Sequence, residues 1–254
     1  MKILIVSGFL GAGKTTFIKR LARNVDQRFA ILENEYGAAG IDGARLGQNR
    51  QGTQKNVWEM TEQCICCIGK KDFAASVLTI ANVVDPEYLI VEPTGVGSLA
   101  RIIENLRQIE YERIQLLSPV TIVDVYSYRR YMAEYPELYQ DQIRSADTII
   151  VSKTEACQAE EKQRIQKFLQ EINPQAKIIT DYASTMTRED YQSLLLGGRY
   201  EKEVQDTQSG EKMPETFSFE NIRMEAPETL WCFLEQIIRG AFGNIIRAKG
   251  QFAA

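Results

Sequence analysis

Residues 8 to 16 read Gly8-Phe9-Leu10-Gly11-Ala12-Gly13-Lys14-Thr15-Thr16, which fits G-x-x-x-x-G-K-[ST]. A strand-like run, Ile3 to Ser7, precedes the motif, and a helix-like stretch follows it. That setting makes the segment a phosphate-binding loop rather than a bare glycine-rich turn. Gly8, Gly11 and Gly13 let the backbone turn tightly, so that successive N–H groups, Ala12 among them, and the following helix N-terminus face phosphate oxygens. Lys14 is placed to reach the β and γ phosphates of a nucleotide, and the Thr15 hydroxyl to complete a Mg²⁺ shell, with Thr16 beside it.

The rest of the chain reads as alternating strands and helices. Phe17, Ile18, Leu21, Ala22 and Val25 keep helical spacing, and Arg28 to Glu33 is a second strand. Residues 34 to 56 are rich in Gly, Asn and Gln and lack periodicity, so this long loop is either functional or a passive surface segment. A short strand is expected over Asn56 to Met60 and a helix over Lys71 to Asn82. Tyr88 to Glu92 is a buried strand ending in an acid, followed by Pro93-Thr94-Gly95. Ligands of open parallel sheets collect at the carboxyl ends of strands, so Glu92 stands where a Walker-B-type acid meets Mg²⁺ or the attacking water, and the Gly95 N–H can meet the γ phosphate. An ordinary strand-end carboxylate is the alternative.

Further on, a helix over Leu99 to Leu106, a strand over Pro119 to Val125 ending near Asp124, and a helix over Leu138 to Ala146 are expected. The strand Thr148 to Val151 leads into Ser152-Lys153-Thr154-Glu155, a placement that suits base recognition. Glu160 to Ile172 is a helix stopped by Asn173-Pro174, and Lys177 to Thr180 closes the main sheet. This alternation predicts a doubly wound, mostly parallel α/β sheet of the P-loop NTPase type over residues 1–196. Residues 197–214 turn polar and read as a linker. Residues 215–254 read as a small α+β unit, with strands over Phe217 to Met224 and Asn244 to Phe252 and a helix over Pro227 to Arg239. Such a unit is too small to stand alone, so it is expected to pack on the main domain or on a second chain, which makes a homodimer one arrangement.

Composition narrows the chemistry. The 254 residues carry a net charge of −4 and no long basic run, which gives no electrostatic support to a nucleic-acid or anionic-membrane partner. No apolar run reaches membrane-spanning length. Three of the five cysteines fall in Cys64-Ile65-Cys66-Cys67, which is not a disulfide framework and fits a reducing, cytoplasmic setting. There is no histidine, so a metal site must use thiolates and carboxylates. Three clustered thiolates suit Zn²⁺, Cu(I) or an iron–sulfur cluster, with Glu33 and Glu35 as candidates for a fourth ligand; a redox role for vicinal thiols is the alternative. Cys157 and Cys232 are isolated and read as structural.

The ordered set formed by the phosphate loop, Glu33-Asn34-Glu35-Tyr36-Gly37, Cys64-Ile65-Cys66-Cys67, Glu92-Pro93-Thr94-Gly95 and Ser152-Lys153-Thr154-Glu155 resembles the CobW-like GTPases over essentially the whole chain. That family is related to the nickel-insertion GTPases of urease and hydrogenase maturation. The resemblance implies a cytoplasmic GTPase that binds GTP or GDP with Mg²⁺ and couples hydrolysis to delivery of Zn²⁺, Co²⁺ or Ni²⁺ to a client metalloprotein or corrinoid-pathway protein. By position it makes Lys14, Thr15 and Thr16 phosphate and Mg²⁺ ligands and Glu92 the Walker-B acid. Glu33, Cys66 and Cys67 become metal ligands, which Cys64 can join, and Ser152, Lys153 and Glu155 the base-recognition motif.

Four departures from the family pattern shape the expectation. Ala38 stands where an acid often assists metal binding, and Gln63 replaces the usual glycine before the cysteines. The C-terminal unit is read as shortened and carries none of the family's histidines. Ser152-Lys153-Thr154-Glu155 replaces N-K-x-D, and Glu155, one methylene longer than aspartate, weakens guanine discrimination while leaving phosphate binding intact. Two other functions compete with the metallochaperone. One is a small-molecule P-loop kinase; the other is a nucleotide switch with redox-sensing thiols.

Overall fold

The computed structural model describes residues 1–27, 29–35, 57–63, 70–204, 217, 226–243, 245–246 and 248. Among the described residues, eight strands form one sheet: β1 (Lys2–Gly8), β2 (Phe29–Glu35), β3 (Val57–Gln63), β4 (Tyr88–Glu92), β5 (Gln115–Leu116), β6 (Val120–Asp124), β7 (Thr148–Ser152) and β8 (Lys177–Ile179). Their order is β3-β2-β4-β1-β6-β7-β8, with β5 paired to the start of β1, and every pair is parallel. Helices cover both faces of a parallel sheet, so its strands read as continuous apolar runs. β1 shows why: Ile3 and Ile5 join one core with Leu32, Leu89 and Val91, while Leu4 and Val6 join the other with Ile31, Ile90 and Ile122.

On the Leu4 face lies α1 (Lys14–Asn24), which contributes Phe17, Ile18 and Leu21. The short α7 (Tyr182–Thr185) and α8 (Arg188–Leu196) close over it with Tyr182, Tyr191 and Leu195. On the Ile3 face, α2 (Lys70–Val83) contributes Val77 and Ile80, and α3 (Leu99–Arg107) contributes Leu99, Ile102, Ile103 and Leu106. Each of these fully buried aliphatic side chains contributes about 1.5–3 kcal/mol relative to an exposed one. Three more helices follow the central strands: α4 (Tyr128–Glu134), α5 (Pro136–Arg144) and α6 (Ala159–Ile172). The chain runs from β1 to β2, β3 and β4 on one side, then crosses to β6, β7 and β8 on the other. The carboxyl end of β1 is therefore the switch point where a crevice opens.

The expected α/β architecture is present, with several differences in its elements. β3 extends to Gln63 because all seven of its residues pair with β2, which itself continues to Glu35. α4, α7, α8 and β5 were not expected. α8 begins with a capping box in which Thr187 accepts from the Asp190 N–H and Asp190 accepts from the Thr187 N–H. The stretch expected as a linker is docked where it begins. Leu117 and Arg199 form an antiparallel bridge, the Tyr200 N–H donates to the Leu116 carbonyl at 2.8 Å, and the Tyr200 hydroxyl donates to the Ser145 carbonyl at 2.9 Å. Residues 205–214 lie outside the described residues.

The chain divides into two compact units, Met1–Glu215 and Thr216–Ala254. In the second, α9 (Pro227–Ile238) lies where a helix was expected. The strand expected over 217–224 lies outside the described residues except for Phe217. Of the strand expected over 244–252, Ile245, Ile246 and Ala248 are described and are not in a strand; the rest lies outside the described residues. Among the described residues no helix is long and apolar enough to cross a membrane.

Candidate functional site

Gly8, Gly11 and Gly13 all have positive φ, at +140°, +72° and +100°. At Gly8 the need for glycine is twofold, because a Cβ would also lie 2.4 Å from the Ile122 carbonyl oxygen of β6. Gly13 caps α1 with no side-chain acceptor, which leaves the helix N-terminus facing the loop. Lys14 lies back over the loop, only 7% exposed, and its Nζ donates to the Gly8 carbonyl at 2.9 Å and the Phe9 carbonyl at 3.5 Å.

The acid at the end of β4 meets the loop through Thr15. The Thr15 hydroxyl donates to Glu92 Oε1 at 3.1 Å and lies 3.3 Å from Oε2. A hydroxyl and a carboxylate converging on one point form a hard-oxygen pair that fits Mg²⁺. Glu33 is the register partner of Glu92 on the neighbouring parallel strand, so the two carboxylates stand side by side on one face, and Glu33 is only 3% exposed. Two adjacent carboxylates, Glu33 buried and Glu92 half-buried, make a place that favours a cation.

β3 ends at Gln63, paired with Glu35, so the chain enters its cysteines from the carboxyl edge of the sheet where Glu33 and Glu92 stand. Cys64, Cys66 and Cys67, together with the loop from Tyr36 to Asn56, lie outside the described residues.

After Glu92 the backbone presses directly on the phosphate loop. A Cβ on Gly95 would lie 2.5 Å from the Leu10 nitrogen and 2.8 Å from Leu10 Cα. The Gly97 N–H closes a turn on the Thr94 carbonyl at 3.0 Å. Thr94 is buried, and its Oγ1 has no hydrogen-bond partner among the described residues.

Ser152, at the end of β7, lies beneath the loop. Its hydroxyl reaches the Ala12 carbonyl at 2.6 Å and the Val123 carbonyl at 3.4 Å, and the residue is only 3% exposed. Its single hydroxyl proton is therefore directed at the loop backbone. Lys153 takes a left-handed conformation at φ +61°, and its Nζ pairs with Asp124 Oδ2 at 2.6 Å. Asp124 also accepts from the Tyr126 N–H at 2.9 Å and the Ser127 hydroxyl at 3.0 Å. Glu155 is exposed. Replacing Ser152 with alanine is expected to weaken diphosphate and triphosphate nucleotides alike by about 5- to 10-fold, the effect of one hydrogen bond, as a GDP titration would show.

Residues 2–180 match the family model described as CobW/HypB/UreG, nucleotide-binding domain. The chain belongs to this family. CobW/HypB/UreG relatives include the zinc chaperone YeiR of Escherichia coli (strain K12), 30% identical over 178 residues that cover 69% of this chain and 53% of YeiR. The chain spans about half the length of the curated relatives it matches. Among solved structures, the Zn(II)-bound YjiA GTPase from E. coli has a TM-score of 0.53 at 22% identity, covering 71% of this chain and 57% of that one. HypB from Helicobacter pylori in complex with nickel has a TM-score of 0.50 at 17% identity, covering 76% and 81%. Both have the same fold as the sheet described here.

Sequence reasoning gave no role to Asp124, Asp141 or Gln142. Asp124 was visible as a strand-end acid; Asp141 and Gln142 carry no local signal, because their partners lie more than 40 positions away.

Proposed function

We propose that this protein binds GTP with Mg²⁺, hydrolyses it slowly, and couples the nucleotide state to binding and delivery of a transition metal, Zn²⁺, Co²⁺ or Ni²⁺. The observation that carries this reading is the pairing of Glu33 with Glu92 on adjacent strands, with Glu92 bonded to Thr15. A carboxylate assigned to the metal stands beside the carboxylate assigned to the nucleotide. The chaperone names of the relatives and the zinc and nickel in the two solved neighbours support the cargo.

In this reading the loop N–H groups other than that of Ala12, which was expected to face phosphate but donates to the Phe9 carbonyl at 3.1 Å, bind the phosphates, Lys14 bridges the β and γ groups, and Thr15 and Thr16 lie at the metal and α-phosphate side. Mg²⁺, when bound, neutralises charge on the phosphate oxygens, and Thr15 and Glu92 are the residues to hold it. Gly95 meets the γ phosphate, and Lys153 and Glu155 flank the base. The chain has no histidine to act as general base, so the rate without a partner is low. Glu33, Cys66 and Cys67, joined by Cys64, hold the transferred metal, and the client is a metalloprotein or corrinoid-pathway protein.

Steady-state GTP hydrolysis with Mg²⁺ tests the enzymatic half. Glu92→Gln is expected to lower the rate by about 10²-fold or more while GDP still binds. If the wild-type protein neither hydrolyses GTP nor binds GDP, this reading fails.

A further inference from the structure

The helices α4 and α5 contain none of the residues assigned to phosphate, yet they hold both the phosphate loop and the Thr94–Ser98 turn, whose backbones meet at Leu10 and Gly95. On the loop side, the Phe9 ring packs among Tyr131, Tyr135 and Tyr139, with centroids 4.1, 5.4 and 5.9 Å away. Burial raises the Tyr131 phenol above its ordinary value, so it stays protonated, and its hydroxyl donates to the Leu10 carbonyl at 3.3 Å. On the turn side, Gln142 is 1% exposed and its Nε2 donates to the Gly95 carbonyl at 3.1 Å and the Gly97 carbonyl at 3.0 Å. Its neighbour Asp141 accepts from the N–H groups of Leu99 at 2.6 Å and Ala100 at 3.4 Å, capping α3 where the turn ends.

Among the described residues, the amide of Gln142 is oriented by those two carbonyls alone. Its Oε1 is buried and has no hydrogen-bond partner among the described residues. The helix carrying it is itself fixed to the sheet, because the Thr121 hydroxyl of β6 donates to the Gln142 carbonyl at 2.8 Å. The turn is thus pinned at two of its carbonyls from one side and pressed on the Leu10 backbone, through Gly95, from the other.

We propose that Gln142 is a positioning residue for the γ phosphate: by fixing the carbonyls of Gly95 and Gly97 it presets the turn from Thr94 to Ser98, and so sets the preference for nucleoside triphosphate over diphosphate. This inference rests on the nucleotide-binding reading above. A diphosphate meets the loop and Lys14 but needs nothing from the turn. Releasing the turn therefore penalises the triphosphate selectively, since it must then be ordered on binding.

The test is a pair of titrations, GDP and a non-hydrolysable GTP analogue, each with Mg²⁺, on the wild-type protein, Gln142→Met and Gln142→Glu. Methionine keeps the volume and removes both donors; glutamate sets a carboxylate against two carbonyls. Both variants are expected to bind the GTP analogue about tenfold or more weakly and GDP within about twofold of wild type, two lost hydrogen bonds falling on one ligand. Gln142→Asn, whose shorter side chain withdraws the amide from both carbonyls, is read in the same way if the methionine variant does not fold. Equal weakening of both nucleotides, or an unchanged ratio, overturns the inference and leaves the nucleotide site standing. If the wild-type protein binds neither nucleotide, the proposed function fails and this inference fails with it.

Discussion

Alanine at position 8 is expected to destabilise the main unit by about 3 kcal/mol and to abolish nucleotide binding. Two costs coincide there. The backbone holds φ at +140°, which L side chains rarely adopt, and the added Cβ would lie 2.4 Å from the Ile122 carbonyl oxygen. That oxygen cannot retreat cheaply, because Ile122 is in the parallel ladder opposite Gly8 and Thr121 is opposite Ser7. Relief requires parting β1 from β6 at the point where the phosphate loop begins. Gly11 is the control, since its φ of +72° carries backbone strain but a Cβ there meets nothing within 4 Å. Gly11→Ala should cost about 1 kcal/mol. Urea unfolding of the two variants separates the effects, and a Gly8→Ala protein within 1 kcal/mol of wild type would contradict the packing described here.

Lys14→Ala is expected to have the largest effect on binding. The ammonium lies over the loop, bonded to the Gly8 and Phe9 carbonyls, and those are the contacts it would exchange for phosphate oxygens. Charge-assisted hydrogen bonds contribute about 1.5–3 kcal/mol each, so losing two lowers triphosphate affinity by about 100-fold or more. Stability should change little, because removing a mostly buried charge also removes its desolvation penalty. Calorimetric titration with GTP analogue and GDP, alongside thermal unfolding, checks both statements. Unchanged GTP affinity would place the phosphates elsewhere.

What the sequence revealed divides along a physical line. The phosphate loop is contiguous and its chemistry is local, so Gly8 to Thr16 could be read directly. The strands were legible because burial on both faces makes them continuous apolar runs, as in Ile3 to Val6 and Thr148 to Val151. α4 escaped because its buried positions, Tyr128 and Tyr131, are tyrosines, whose polar tips blur the helical pattern. α8 starts with Thr187 and Asp190, a capping box with aspartate where glutamate or glutamine is usual. The contacts that shape the site were invisible for another reason. Gly95 against Leu10, Gln142 on the Gly95 turn and Asp124 on Lys153 all join positions distant in the chain, so they exist only once the sheet order is set. Ser152 was read as part of a base-recognition motif; its hydroxyl bond to the Ala12 carbonyl, 140 positions away, is a further contact of this kind.

Coupling between metal and nucleotide is the central claim, and linkage makes it measurable from either side. The most direct measurement titrates Zn²⁺, Co²⁺ and Ni²⁺ into reduced protein that is nucleotide-free, GDP-bound or bound to a non-hydrolysable GTP analogue. A variant with Cys64, Cys66 and Cys67 all changed to serine is measured beside it. Metal affinity should differ by about 5-fold or more between the nucleotide states, the lower end of ordinary allosteric coupling, and binding should disappear in the variant. Equal affinity in every nucleotide state, or binding that survives the loss of all three thiols, would contradict it.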